Sequence, residues 1–187
     1  YGIFYISMSL SQFVENPITG WSVACKKRMT ESDFDTSETL GSVFLAIGGI
    51  ILIIGPTSYL ILNAVTQDSV IPIAVPLIFA TTSSYWAINT FLSGRGNFSL
   101  SVWSGSINTL IQVIGKIILV VMGFGVWGMI GGTVVGPLFV LPILLRWIGV
   151  RPSIPSWRSI VSITEYARWS IPSGFVGTAL SRMDTIL

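Results

Sequence analysis

The stretch Ile107–Gly125, INTLIQVIGKIILVVMGFG, is a run of apolar residues with a lysine, Lys116, inside it. An ammonium near the middle of a bilayer costs about 2.5–3.5 kcal/mol on insertion scales unless it is solvated or paired. The polar residues here are not scattered. Ser104, Asn108, Gln112 and Lys116 are each four apart and share one face of a helix, while Ile107, Leu110, Ile111, Ile114, Ile117, Ile118 and Val121 cover much of the rest. Such a stripe predicts a helix whose polar face looks into a bundle interior or a water-filled cavity. The competing reading is that Lys116 snorkels on its long stem to nearby headgroups.

The whole chain has this character. Of its 187 residues 51% are hydrophobic and only 10% charged, with a mean hydropathy of +0.78. Soluble domains carry about 25% charged residues, so this composition cannot cover a water-exposed surface. The apolar stretches run about 20 residues, the length of a membrane-crossing helix rather than of a barrel strand. The predicted class is therefore an all-α integral membrane bundle. A net charge of +2 points to no nucleic-acid partner. A single cysteine, Cys25, excludes an internal disulfide, and the absence of histidine removes the commonest general base and metal ligand. No cofactor and no metal site are expected. The opening YGIFYISMSL and the closing SRMDTIL both read as cut ends, which suggests a fragment of a longer chain.

Five apolar spans and the start of a sixth are predicted, at Gly2–Ala24, Leu40–Leu62, Val70–Leu92, Trp103–Met122, Val126–Ile148 and Ile163–Leu187. Lys26, Lys27 and Arg28, then Arg95, then Arg146, Arg151 and Arg158 fall in alternate connections, and the other two connections hold no basic residue. The positive-inside rule places loops 25–39, 93–102 and 146–158 in the cytoplasm and the N-terminus outside, as expected of a plasma-membrane protein. Gly55-Pro56, Pro72, Pro76, Pro137 and Pro142 fall within spans, where they kink or open a helix. Gly128, Gly132 and Gly136 form a small-residue ridge suited to close helix packing.

The first span has its own stripe: Ser7, Ser11, Glu15 and Thr19, flanked by Gln12 and Asn16, with Pro17 just after. Counting 1.5 Å per residue puts Glu15 about 14 Å from the cytoplasmic end, with Lys116 about 6 Å further out. If the two helices are neighbours, a Lys116–Glu15 contact is open. The third span holds Thr81, Thr82, Ser83, Ser84, Tyr85, Trp86 and Asn89, whose hydroxyls are expected mainly to bond back to helix carbonyls. Arg168, Arg182 and Asp184 lie in the last span. The KKR run is read as a topology anchor.

Four stretches resemble the N-terminal half of the polysaccharide-biosynthesis flippases, in the superfamily that also holds multidrug efflux and lipid II flippases. GWSVACKKRMTESD (20–33) resembles that family's second helix entering a basic loop. FLSGRGNFSLSVWSGSINTL (91–110) resembles its fourth-to-fifth connection. LVVMGFGVWGMIGGTVVG (119–136) resembles the turn between its fifth and sixth helices, and EYARWSIPSGFVGTALSRMDTIL (165–187) the start of its seventh. The resemblance implies a two-lobe transporter, with residues 1–158 giving five helices of the first lobe and 159–187 opening the second. It implies alternating-access transfer of a polyprenyl-phosphate-linked oligosaccharide to the outer leaflet, with no covalent chemistry. The implied partners are membrane lipid, that substrate and a coupling H⁺ or Na⁺, and glycan-assembly enzymes are compatible with it. On this resemblance Glu15, Asn108, Gln112, Lys116, Arg168, Arg182 and Asp184 are the candidate cavity residues, the cations for phosphate and the acids for charge balance or coupling.

Two other classes remain open. A multidrug or cation antiporter of the same superfamily would favour an acid-lined cavity, whereas the intramembrane charges here are mixed. A membrane glycosyltransferase would need an acidic metal cluster, for which only Glu31, Asp33 and Asp35 come close, and these read as a solvated loop.

Overall fold

The computed structural model describes residues 2–30, 35–66 and 69–181. They form an all-α bundle: α1 (Gly2–Met29), α2 (Thr36–Val65), α3 (Ile71–Gly94), α4 (Phe98–Leu119), α5 (Gly125–Ile148) and α6 (Trp157–Ser181). By length and composition α2, α3 and the stretch Phe98–Ile148 can cross a membrane. That stretch is two helices, because the wide turn Val120–Phe124 holds Gly123 at φ 91° and is followed by Gly125 at φ 52°. Only glycine adopts these angles without strain, so the chain reverses there.

α1 and α6 are long enough but more polar. They nevertheless share the vertical extent of the apolar helices. α1 runs parallel to α3, from Ser11, which donates to the Val75 carbonyl at 3.2 Å, to Lys26, whose stem packs on Gly94. α6 runs antiparallel to α1, from Ser162, whose carbonyl accepts from Arg28 at 3.2 Å, to Thr178, which donates to Asn16 Oδ1 at 3.1 Å. The chain is a helical membrane protein.

Two prolines are accommodated in different ways. Pro72 lies within its span as expected but in the first turn of α3, where it does not open the helix because no intrahelical donor is missed there. Pro17 leaves the Phe13 carbonyl without its helical partner, and the Asn16 side-chain amide donates to that carbonyl at 3.2 Å.

Packing is inverted relative to a soluble protein. On α4 only Ser104 and Asn108 are buried, while Leu110, Val113, Ile114, Ile117, Ile118 and Val121 are exposed, as a lipid-facing surface requires. The polar stripe of α4 lies against the glycine ridge of α5. A Cβ on Gly132 would come within 2.4 Å of the Lys116 backbone nitrogen, one on Gly136 within 2.4 Å of Gln112 Cγ and 2.7 Å of Asn108 Oδ1, and one on Gly128 within 2.9 Å of Leu119 carbonyl carbon. The apolar core lies elsewhere, around Phe79, Tyr85, Ile88 and Phe91 of α3, with Leu40, Val43, Leu144 and Ile163 from its neighbours.

All three basic connections meet at one end. Arg95 donates to the Ile148 carbonyl. The Glu38 carboxylate accepts from the Ser159 hydroxyl (2.6 Å), the Ser156 hydroxyl (2.7 Å) and the Ser156 N–H (3.2 Å). The Ser153 N–H donates to the Ser37 carbonyl at 3.1 Å, in a contact so close that a Cβ on Gly41 would sit 1.8 Å from Ser153 O. Asp35 caps α2, accepting from the Ser37 N–H at 2.9 Å, which gives it a structural role. Glu31 and Asp33 lie outside the described residues.

Two expectations follow. Gly132→Ala, forcing a methyl onto backbone, should destabilise the protein by about 1–3 kcal/mol, read in thermal unfolding, whereas Gly48→Ala, with open space around it, should not. The hydrogen bonds from Ser159 and Ser156 hold the Glu38 carboxyl below its ordinary value of 4.5. A depressed carboxyl contributes stability that is present above the ordinary value and is lost as pH falls through the folded one. Hydrogen-exchange protection of the Ser153 and Ser156 amides should therefore fall on acidification below about pH 4.3, and Glu38→Gln should lack that response.

Candidate functional site

A polar pocket of about 430 Å³ opens between α1, α3 and α6. From α1 come Gln12, Glu15, Asn16, Thr19 and Ser22; from α3, Trp86 and Thr90; from α6, Thr178. Parallel packing of α1 on α3 sets the register. Thr82 donates both to the Ile78 carbonyl and to the Glu15 carboxylate. One turn further along, Thr19 stands level with Trp86, and a turn beyond that Ser22 stands level with Thr90. α6 closes the third side because Gly20 admits it: a Cβ there would come within 2.6 Å of Ile171 Cγ1, and the Ser170 hydroxyl donates to the Gly20 carbonyl at 2.8 Å. Gly174 likewise lets Asn16 Oδ1 approach, and Thr178 donates to that oxygen. Asn16 thus serves Pro17's orphaned carbonyl with its nitrogen and α6 with its oxygen.

Of the expected cavity residues, the structure brings Glu15 into this pocket together with its flanking Gln12, Asn16 and Thr19. Ser7 and Ser11, from the same stripe, are instead buried against α3, bonding to the Ile3 and Ser7 carbonyls. Asn108 and Gln112 lie in the α4–α5 seam, where Asn108 Oδ1 has no hydrogen-bond partner. Ser104, at the start of that stripe, donates to Asn89 Oδ1 of α3 at 2.8 Å. Lys116 does not meet Glu15. Its ammonium sits 5.5 Å above the Phe4 ring, eleven residues or about 16 Å along α1 from the acid. The reason is that α4 packs on α5 and α3 and not on α1. Lys116 borders a mainly apolar pocket of about 360 Å³ with Ile117, Val120, Val126 and Met129. Arg168 is exposed, its guanidinium 5.5 Å from the Trp169 ring. Arg182 and Asp184 lie outside the described residues.

The expected back-bonding holds for Thr81 and Ser84, which donate to the Leu77 and Ala80 carbonyls at 2.9 and 2.7 Å. Thr90 and Thr178 were not among the expected site residues. Thr90 continues the spacing of four from Thr82 and Trp86, so it was readable; Thr178 is a lone hydroxyl whose place depends on how α6 docks. Among the described residues no three His, Cys, Asp or Glu side chains gather where a metal ion could be held. The pocket offers hydroxyls, amides, one carboxylate and one indole face, a set that binds hydroxyl-rich ligands by paired donors and acceptors.

Residues 2–187 match the family model of the polysaccharide biosynthesis proteins. The chain belongs to that family. No curated protein and no solved structure matches it. A membrane protein of the polysaccharide biosynthesis family thus carries, between its first, third and sixth described helices, a pocket lined among the described residues by polar side chains and one tryptophan.

Removing the donor to Glu15 tests how the site is held together. Thr82→Val should leave a half-buried acid without its partner and cost about 1–3 kcal/mol, seen as a lower unfolding temperature. Thr81→Val, whose hydroxyl serves only its own helix, should change it by much less.

Proposed function

We propose that the chain is part of a flippase that moves a polyprenyl-phosphate-linked oligosaccharide from the cytoplasmic to the outer leaflet by alternating access, without covalent chemistry. The observation that carries this reading is the polar pocket at Glu15, Asn16, Thr19, Trp86 and Thr178, in a protein whose family is that of polysaccharide biosynthesis. Sugar hydroxyls find donors and acceptors there, and an indole face suits the apolar side of a pyranose ring. In this reading the end that gathers Lys26–Arg28, Arg95, Arg146, Arg151 and Arg158 is cytoplasmic, in accord with the positive-inside rule, and the membrane is the plasma membrane. Helices α1–α5 belong to the first lobe, residues 159–187 open the second, and Glu15 is placed to take a coupling H⁺ or Na⁺.

The test is leaflet transfer of a fluorescent lipid-linked oligosaccharide by the full-length protein in proteoliposomes. Asn16→Ala and Trp86→Leu should each slow it about tenfold or more at equal protein level, the scale of one or two lost hydrogen bonds or a stacking contact. Wild-type rates in both variants would remove the pocket from the transport path. A second reading, a cation antiporter, is favoured by one feature, namely that among the described residues the charged residue lining the pocket is a carboxylate. Glu15-dependent export of a cationic dye, with no lipid transfer, would decide for it.

A further inference from the structure

The pocket has a direction. On α1 its lining residues Glu15, Thr19 and Ser22 continue, at the spacing of one more turn, to Lys26, which lies about 20° around the helix from Glu15. On α3 Trp86 and Thr90 continue in the same way to Gly94. These two continuations meet. The Lys26 stem lies against Gly94, where a Cβ would come within 3.2 Å of Lys26 Cγ, and its ammonium stands 6.0 Å over the Phe98 ring. The line of facing residues between α1 and α3, the groove of these two helices, therefore runs from a carboxylate that lines the pocket to an ammonium at the loop end, about 16 Å apart along the helix.

Of the cations expected to meet a phosphate, Lys116 and Arg168 do not stand in this groove, and Arg182 lies outside the described residues. Lys116 is at the far end of α1, over Phe4, and Arg168 is exposed beside Trp169. Among the described residues the charged group at the level of Glu15 is that carboxyl itself, which when ionised repels a phosphate more strongly than it would in water. At the level of Lys26 the phosphate would meet opposite charge and remain at headgroup depth, with its lipid tail still in the bilayer.

Resting on the flippase reading, we propose that the groove reads its substrate lengthwise, Lys26 holding the lipid-linked phosphate at the mouth while the attached sugars reach inward along Trp86 to Glu15. Lys26 is then a substrate-binding residue and not merely a marker of orientation. Trp86, 54% exposed on the groove wall, supplies the stacking face for the sugar.

The test uses the full-length protein in zwitterionic nanodiscs with two probes, farnesyl diphosphate and the same diphosphate carrying one N-acetylglucosamine. Lys26→Gln should weaken both about tenfold, the worth of one charge-assisted hydrogen bond, and Lys26→Arg should restore most of it. Trp86→Leu should erase the extra affinity that the sugar-bearing probe enjoys over the bare one. Unchanged binding in Lys26→Gln, with the wild type binding normally, would overturn this assignment and leave the flippase reading intact. If adding phosphatidylglycerol to the discs abolishes the difference between wild type and Lys26→Gln, Lys26 reads bulk anionic headgroups and the assignment also fails. A wild type that binds neither probe would overturn both readings.

Discussion

The approach of α4 to α5 at Gly128, Gly132 and Gly136 is the constraint on which much of the bundle rests. In lipid an isoleucine gains nothing by turning inward, so helices associate through small and polar surfaces that let backbones come close. The ridge lets the Lys116 backbone, Gln112 and Asn108 settle where a side chain would otherwise stand. With the polar stripe taken up by α5, the isoleucines and valines of α4 are free to face lipid. The far end of the stripe then hands over to α3 through Ser104 and Asn89, tying the α4–α5 hairpin to the helix that forms one wall of the pocket.

The other wall follows a second rule, that every backbone carbonyl inside a membrane needs a partner. Pro17 breaks that rule locally and Asn16 repairs it. The repair leaves the Asn16 oxygen facing α6, where Thr178 uses it. One proline thus accounts for an amide at the pocket wall. The Glu38 clasp at the loop end fixes where α6 begins, and the Gly20 contact fixes how near it comes.

Helix number, the glycine turn near Gly125 and the gathering of basic connections at one end were legible in the sequence, because span length, φ-permissive residues and charge alternation are local or periodic signals. The glycine ridge was legible as well. What it packs against was not, because periodicity says which residues share a face but not which helix that face meets. The two stripes look alike on paper. One is a packing seam, and the other divides, with Ser7 and Ser11 buried and Glu15 with Thr19 in the pocket. Lys116 and Glu15 are close in estimated depth, yet depth counted from loop ends carries no information about helix order around the bundle. Thr178 lies 162 residues downstream of Asn16 and its place depends on the docking of α6, which no short-range pattern encodes.

The Thr82–Glu15 bond joins residues 67 positions apart, and this bears on how the protein is made. At synthesis rates of about 5–20 residues per second, α1 emerges about 3–13 s before the hydroxyl that will satisfy its acid. During that interval the Glu15 carboxyl lacks the hydroxyl that will share its cost in the bilayer. The acid of α1 is therefore satisfied only once α3 has arrived beside it. Substitutions that weaken this pair act on biogenesis before they act on the assembled bundle.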